Sequence, residues 1–278
     1  MPGILYLVAS PIGNLEDITF RAVRILKECD LIACEDTRHT LKLLNHYGIE
    51  KPLISYHEHN ETQRSGELIV RLRDGSSVAL ISDAGMPLVA DPGYRLVTAA
   101  VAEGISVRPI PGASALVTAL AASGLPTDSF RFGGFLPPKS GQRSSVLETL
   151  KSEQSTLIFY EAPHRILDTL VDVDRVMGAR LVVIARELTK THEEFLRGTA
   201  RQVLEILQAR PAVKGEITLL IGKAGRHEAP EPESITIEEA IAECEREGLT
   251  RMDAIKAIAR RRGLSKREVY QQVLNKLT

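Results

Sequence analysis

The sequence predicts two α/β domains followed by a small C-terminal helical module, and three observations carry that expectation. Short apolar runs alternate with helix-like stretches from Ile4 to Ile221, the pattern of parallel strands joined by crossover helices. The alternation breaks at Gly124-Leu125-Pro126-Thr127-Asp128, where glycine and proline stop a helix and turn the chain. A polar, proline-bearing stretch at 226–234 then reads as a linker to three segments that each open with a capping box: Thr236 with Glu239, Thr250 with Asp253, Ser265 with Glu268. The expected domains are 1–123, 124–225 and 235–278. The last two helices, separated by Gly263-Leu264, suit a helix-turn-helix.

The apolar run at residues 4–10 predicts a buried strand that ends in the turn Ser10-Pro11-Ile12-Gly13-Asn14-Leu15. Thr19 is placed to cap a helix reaching about Cys29, and Leu31 to Cys34 form a second strand that delivers Glu35-Asp36-Thr37-Arg38-His39. Leu53 to Tyr56 deliver His57-Glu58-His59-Asn60-Glu61 in the same way, and a helix follows to Arg73. The strand at 78–82, a helix from Tyr94 to Glu103, a strand near Val107 and a small-residue helix entered through Pro111-Gly112-Ala113-Ser114 complete the first half. In the second half, strands at 156–160, 181–185 and 216–221 are joined by helices after Arg165 and up to Gln208, with a hairpin through Glu193 to Gly198.

The stretch from Ser82 to Gly93 sits where a parallel strand passes into its helix, which is the ligand end of an open α/β sheet. Its glycines let a ligand approach the backbone and its prolines stiffen the turn. It carries Asp83 and Asp91 and no lysine or arginine, so a cationic or neutral ligand suits it better than a polyphosphate. No G-x-G-x-x-G follows the first strand, which argues against a dinucleotide site. Three cysteines without metal-ligand spacing support neither a disulfide framework nor a zinc site. The start lacks a basic n-region and no apolar run is long enough for a membrane span, so a cytoplasmic protein is expected. The net charge of −1 hides an asymmetry, because residues 250–278 carry eight cations against two carboxylates. A basic end on an acidic body suggests an anionic macromolecular partner.

Six ordered motifs resemble the tetrapyrrole methylase superfamily, and in particular its members that act on ribosomal RNA. They are Ser10-Pro11-Ile12-Gly13-Asn14-Leu15, Glu35-Asp36-Thr37-Arg38, Ser82 to Pro87, Asp91-Pro92-Gly93, Pro111 to Ala115, and Phe159-Tyr160-Glu161-Ala162-Pro163-His164-Arg165. The resemblance spans the whole chain. It implies two α/β domains with S-adenosylmethionine in the cleft between them, no metal, a homodimer, and 2′-O-methylation of a cytidine ribose in the decoding region of 16S ribosomal RNA. It also implies donor contacts from Pro11, Asp83, Ala84, Gly85, Met86, Asp91, Pro111, Gly112, Ala113, Ser114, Phe159 and Tyr160.

A ribose hydroxyl is a poor nucleophile while protonated, so a positioned base is expected, and Asp36, His57, His59 and Glu161 are its candidates. Each also has an ordinary structural reading: Asp36 as a helix cap before Arg38, the histidines as loop residues, Glu161 as a partner of Arg165. Arg38, Arg165, Arg186 and Lys190 are candidates to hold RNA phosphates at the cleft, with Arg260, Arg261 and Arg262 extending that footprint. Two other readings use the same residues: a methylase acting on a tetrapyrrole or diphthamide-pathway acceptor, and a non-catalytic assembly factor that binds RNA through its terminal helices.

Overall fold

The computed structural model describes residues 2–224, 237–246, 249–261 and Val269, with Arg260 and Arg261 described in backbone only. Residues up to Ala224 form one compact unit and residues from Gly225 another.

The first half of the larger unit contains β1 (Ile4–Val8), α1 (Phe20–Glu28), β2 (Leu31–Cys34), α2 (Thr37–His46), β3 (Leu53–Ser55), α3 (Glu61–Arg73), β4 (Val78–Ile81), α4 (Tyr94–Ala102), β5 (Ser106–Ile110) and α5 (Ala115–Ser123). The strands form one all-parallel sheet in the order β3-β2-β4-β1-β5. Strand side chains alternate between faces, and here both faces are buried. Leu31, Ala33, Val78 and Leu80 pack against α3 and α4, while Ile32, Cys34, Ala79 and Ile81 pack against α1 and α2. The expected cap on α1 forms, with Thr19 Oγ1 accepting from the Ala22 amide at 3.1 Å. Helix α2 is an element that the sequence reading left as a strand-end tail; Asp36 caps it, accepting from the Arg38 amide at 2.8 Å. Because β4 inserts between β1 and β2, the C-terminal ends of these three strands bring residues 10–15, 35–36 and 82–93 to one edge.

The second half contains β6 (Phe130–Phe135), α6 (Ser140–Thr149), β7 (Thr156–Glu161), α7 (Ile166–Met177), β8 (Leu181–Arg186), β9 (Glu194–Thr199), α8 (Ala200–Gln208) and β10 (Ile217–Ile221), with sheet order β6-β7-β10-β8-β9. Strand β6 and helix α6 were not anticipated; the two glycines in Phe130–Phe135 mask a strand that pairs with β7 across a register shift. The sheet is mixed. The hairpin expected through Glu193 to Gly198 turns earlier, at 187–193, because Glu194–Thr199 is itself strand β9; it reverses the chain, and the α8 crossover preserves that reversed direction, so β10 enters between β7 and β8 antiparallel to both. One face packs on α6, α7 and α8. The other rests on Leu116, Ala119 and Leu120 of α5 together with Ile12 and Leu188, so that α5 ties the two sheets together. Its last carbonyls, Ala122 and Ser123, accept hydrogen bonds from the Arg197 guanidinium at 2.7 and 3.0 Å, which matches the negative end of a helix to a cation.

In the terminal unit, α9 (Ile237–Arg246) and α10 (Arg251–Arg261) bury Ile237, Ala240, Ile241 and Cys244 with Ala254, Ile255, Ile258, Ala259 and Val269. Of the second expected capping box one half forms: Thr250 Oγ1 accepts from the Asp253 amide at 3.3 Å, while the Asp253 carboxylate accepts from the Thr250 hydroxyl at 2.8 Å. The linker at 226–234, Thr236 of the first box, Arg262 and the third helix with its box lie outside the described residues. Charge divides between the helices, since α9 carries Glu238, Glu239, Glu243 and Glu245 against Arg246, whereas α10 carries Arg251, Lys256, Arg260 and Arg261 against Asp253.

Candidate active site

The loop after β4 is pinned at both ends. At its start, Ser10 and Gly85 exchange two backbone hydrogen bonds of 2.9 and 3.2 Å, Ser10 Oγ donates to the Ser82 carbonyl, and Ser82 Oγ donates to the Gly85 carbonyl. At its end, the Glu61 carboxylate accepts from the amides of Gly93 and Arg95, which open α4, and from the Tyr56 hydroxyl. Between these anchors Leu88 and Ala90 hold φ of 71° and 68°, a left-handed conformation that is costly for residues with side chains and is sustained by the anchors. The loop thereby presents Asp83, Ala84 and Asp91 to a cavity of about 400 Å³. Tyr160, Ala185, Ile217 and Thr218 of the second sheet form the opposite wall, with Phe135 and Leu188 beside them. Tyr160 meets Phe132 and Phe135 edge-on at ring-centroid distances of 4.9 and 5.7 Å, so the wall is aromatic as well as aliphatic.

Among the described residues no lysine or arginine lines this cavity, yet carboxylates gather around it. Burial, the neighbouring Glu35 and, less strongly, Asp83 push the Asp91 carboxyl up to about 6, while the Ser82 hydroxyl opposes the shift. Burial and Asp83 raise Glu35 in turn, and His57 works against that. Asp36 behaves in the opposite way: hydrogen bonds from the Arg38 side chain and amide hold it at about 2. Its pull is outward, although its amide donates to Asp83 at 3.3 Å.

A second cavity of about 580 Å³ lies beside the first and shares Ile12, Asp83, Ala84 and Glu216 with it. It is bounded by Ser10 to Gly13, by His39, Thr40, Lys42 and Leu43 of α2, and by Lys190.

The residues expected at the site divide accordingly. Asp83, Ala84, Asp91 and Tyr160 line the first cavity and Pro11 the second. Gly85 and Met86 lie behind the loop, Met86 against the core of the first sheet. Pro111 to Ser114 lead into α5, whose first residue, Ala115, lines the first cavity; a Cβ on Gly112 would come within 2.8 Å of the Ala9 Cβ. The Phe159 side chain is buried in the second sheet's core against Gly133. Glu161 reaches the cavity wall, but its carboxylate is engaged by Arg165 at 2.7 Å, Thr169 Oγ1 at 2.7 Å and the Ala162 amide at 2.8 Å. Arg165 also donates to the Leu136 carbonyl. Arg186 is held by Glu194 at 2.5 Å and by the carbonyls of Lys214 and His192, and Lys190 by Glu187 and Glu216 at 2.8 and 3.0 Å. Arg38 is exposed with Asp36 as its partner. His59 is exposed, lines neither cavity, and lies 6.0 Å from the His57 ring. His57 is half-buried beside Asn60, with Nδ1 enclosed and unpartnered.

Sequence reasoning missed Glu35, Lys42, His39 and Glu216 as site residues. Thr40, Leu43 and Leu44 at helical spacing would have revealed α2, and with it the face bearing His39 and Lys42. Among the described residues, no group of three or more His, Cys, Asp or Glu could hold a metal ion, and no helix is long and apolar enough to cross a membrane.

With this geometry established, comparison with known proteins places the class. The family model for Tetrapyrrole (Corrin/Porphyrin) Methylases matches residues 4–204. The solved structure of diphthine synthase is similar in fold, with a TM-score of 0.61 at 17% identity over 88% of this chain and 95% of that one. So is uroporphyrin-III C-methyl transferase from Thermus thermophilus complexed with S-adenyl homocysteine, at TM-score 0.55 and 20% identity over 80% of this chain and 98% of that one. The chain belongs to the tetrapyrrole methylase family. Its similarity is much greater to relatives named ribosomal RNA small subunit methyltransferase I. That of Halalkalibacterium halodurans is 53% identical over 96% of this chain and 93% of its own length. That of Synechocystis is 47% identical over 97% and 96%, and that of Bacillus subtilis 45% identical over 96% and 93%.

Two outcomes follow from the loop. Gly85 has φ of +83°, and a Cβ there would approach Ile12 Cγ2 at 3.3 Å and the Ala113 carbonyl at 3.4 Å, so a side chain would press on the protein behind the loop. Gly85→Ala is expected to lose roughly 1–3 kcal/mol of stability from the disfavoured backbone, read by denaturant unfolding, and a wild-type midpoint would refute it. Asp91 gives the second outcome. Its folded pKa of about 6 lies above the unfolded value, so folding stability should fall as pH rises from about 4 to about 6 and remain lower above that window. Asp91→Asn should therefore raise the melting temperature at about pH 7.5 and raise it less at about pH 5; equal gains at both would exclude a buried charge as the cause.

Proposed function

We propose that this chain transfers a methyl group from S-adenosylmethionine to the 2′-hydroxyl of a cytidine ribose in the decoding region of 16S ribosomal RNA, acting as a cytoplasmic homodimer on that RNA or on the small ribosomal subunit. The observation that carries this reading is the extent of similarity. The uroporphyrin-III C-methyl transferase fold covers 80% of the chain, close to the span of the larger unit, whereas the relatives of Halalkalibacterium halodurans, Synechocystis and Bacillus subtilis named for ribosomal RNA cover 96–97% of it, a span that reaches into the terminal unit. A tetrapyrrole acceptor gives no reason for those helices, and an RNA acceptor does.

The residues present fit the donor. It supplies an electrophilic methyl group on a positively charged sulfur, and the first cavity offers Asp83 and Asp91 with no lysine or arginine among the described residues of its lining. Its apolar walls and the Tyr160 ring suit a heterocycle, in the manner of most small-molecule sites. On this reading residues 1–123 supply the carboxylate loop, 124–225 complete the donor site through Tyr160 and the backbone around Phe159, and 235–278 provide RNA affinity. Asp91, pushed up to about 6 by burial and Glu35, would be ionised at neutral pH and faces the donor's positive charge. Asp36, held near 2 by Arg38, is a weak base at that pH; Glu161 is committed to Arg165 and Thr169, and His59 stands apart from both cavities. Much of the rate would come from holding donor and hydroxyl in line. Arg38 is the exposed cation of the cleft set, and it is available to RNA phosphates.

Offering labelled S-adenosylmethionine with small subunits, naked 16S RNA and a tetrapyrrole in parallel tests the assignment. Label is expected in RNA, in a nucleotide whose 3′ linkage resists alkali because its 2′-oxygen is blocked; label in the tetrapyrrole alone would replace this reading. A truncation tests the terminal unit. Removing residues 235–278 should leave donor affinity unchanged in calorimetry, weaken RNA binding and flatten its dependence on salt, because phosphate contacts release counterions. An unaltered salt slope would reassign the terminal helices to a structural role.

A further inference from the structure

We propose that the second cavity is the seat of the acceptor nucleotide, turned out of its RNA strand, with Lys42 and His39 of α2 holding its phosphate and its ribose facing Ala84. This rests on the functional reading above and specifies where its acceptor binds.

Position is the first argument. The two cavities share Ile12, Asp83, Ala84 and Glu216, so molecules seated in them would meet across Ala84 and Asp83, the start of the carboxylate loop. Size is the second: about 580 Å³ lies within the range for one small ligand, and a ribose hydroxyl inside a folded strand reaches such a recess only when its nucleotide leaves the stack.

Charge is the third argument. Among the described residues the first cavity has no lysine or arginine in its wall, and Lys42, Lys190 and His39 lie on the other side of the divide. Lys190 is neutralised by Glu187 and Glu216, which leaves Lys42 as the cation with no ion pair among the described residues. His39 lies one helical turn before it on the same face of α2, and both are exposed toward an anion entering the recess. A sulfonium donor and a phosphate-bearing acceptor would thus be sorted by charge into adjacent compartments.

The floor of the recess is fixed. The Asn14 amide donates to Thr189 Oγ1 at 3.1 Å, and Gly13 has no space for a side chain, since a Cβ would lie 2.6 Å from Lys190 Cγ and 2.9 Å from Thr189 Oγ1. The turn after β1 and the loop after β8 therefore close one side of the cavity without filling it.

The test uses the full-length protein with Lys42→Ala, His39→Ala, the double variant, Lys42→Arg, and Lys27→Ala on α1 as a surface control. Donor affinity is measured by calorimetry, and methyl transfer to the RNA substrate is followed across a range of salt. The double variant is expected to raise KM for RNA by about tenfold or more and to reduce the salt slope by about one unit, with donor affinity unchanged. Lys42→Arg should restore most of the loss, and the control should match wild type. Wild-type KM and slope in the double variant would overturn the proposal, as would loss of donor affinity, which would assign the recess to the donor. Failure of the wild-type protein to methylate any form of RNA would refute the functional reading instead, and the two failures are distinguishable because the first is scored only against an active wild type.

Discussion

The reciprocal backbone hydrogen bonds between Ser10 and Gly85 are the constraint on which the site depends. They join the turn after β1 to the loop after β4, two segments brought together only because β4 pairs directly with β1. That clip and the Glu61 anchor together sustain the left-handed residues Leu88 and Ala90. With them, a short loop holds two carboxylates against a largely apolar recess. Glycine at position 85 is required by φ and by the closeness of Ile12 and Ala113 behind it, so its role is to let the clip form.

That arrangement carries an electrostatic cost. Glu35, Asp83 and Asp91 crowd one edge of the sheet, and the rise of both Glu35 and Asp91 reflects mutual repulsion added to burial. Elsewhere in the larger unit, carboxylates of similar burial have cations: Asp172 is met by Arg143 at 2.6 Å, Glu161 by Arg165, and Glu194 by Arg186 and Arg210. The strain at the cleft is therefore local. A ligand that brings positive charge would relieve it.

The second sheet contributes a wall rather than charged groups. Its inner face is Ile158, Val183, Ala185 and Leu220 resting on α5, and the same face continues to Tyr160, Ala185 and Thr218 at the cavity. The small residues of α5 allow this close approach. Its arginines are largely consumed in holding the sheet together, which is why Arg165 and Arg186, read from sequence as phosphate ligands, are engaged within the protein, whereas Lys42 of α2, at the second cavity, has no ion pair among the described residues.

By itself the sequence determined what depends on contiguous residues. The alternation of apolar runs and helices, the caps at Thr19 and Thr250, and the loop at 82–93 between strand and helix were legible, because period, turn chemistry and capping are written within a few positions. The tertiary structure alone decided the rest. That β10 lies between β7 and β8, that Asp91 shares its surroundings with Glu35 while Asp36 turns outward to Arg38, and that two cavities meet at Ala84 are consequences of strand order. Residues far apart in the chain set the burial and charge of each carboxyl, and the pattern around any one of them carries no record of which strands will become neighbours.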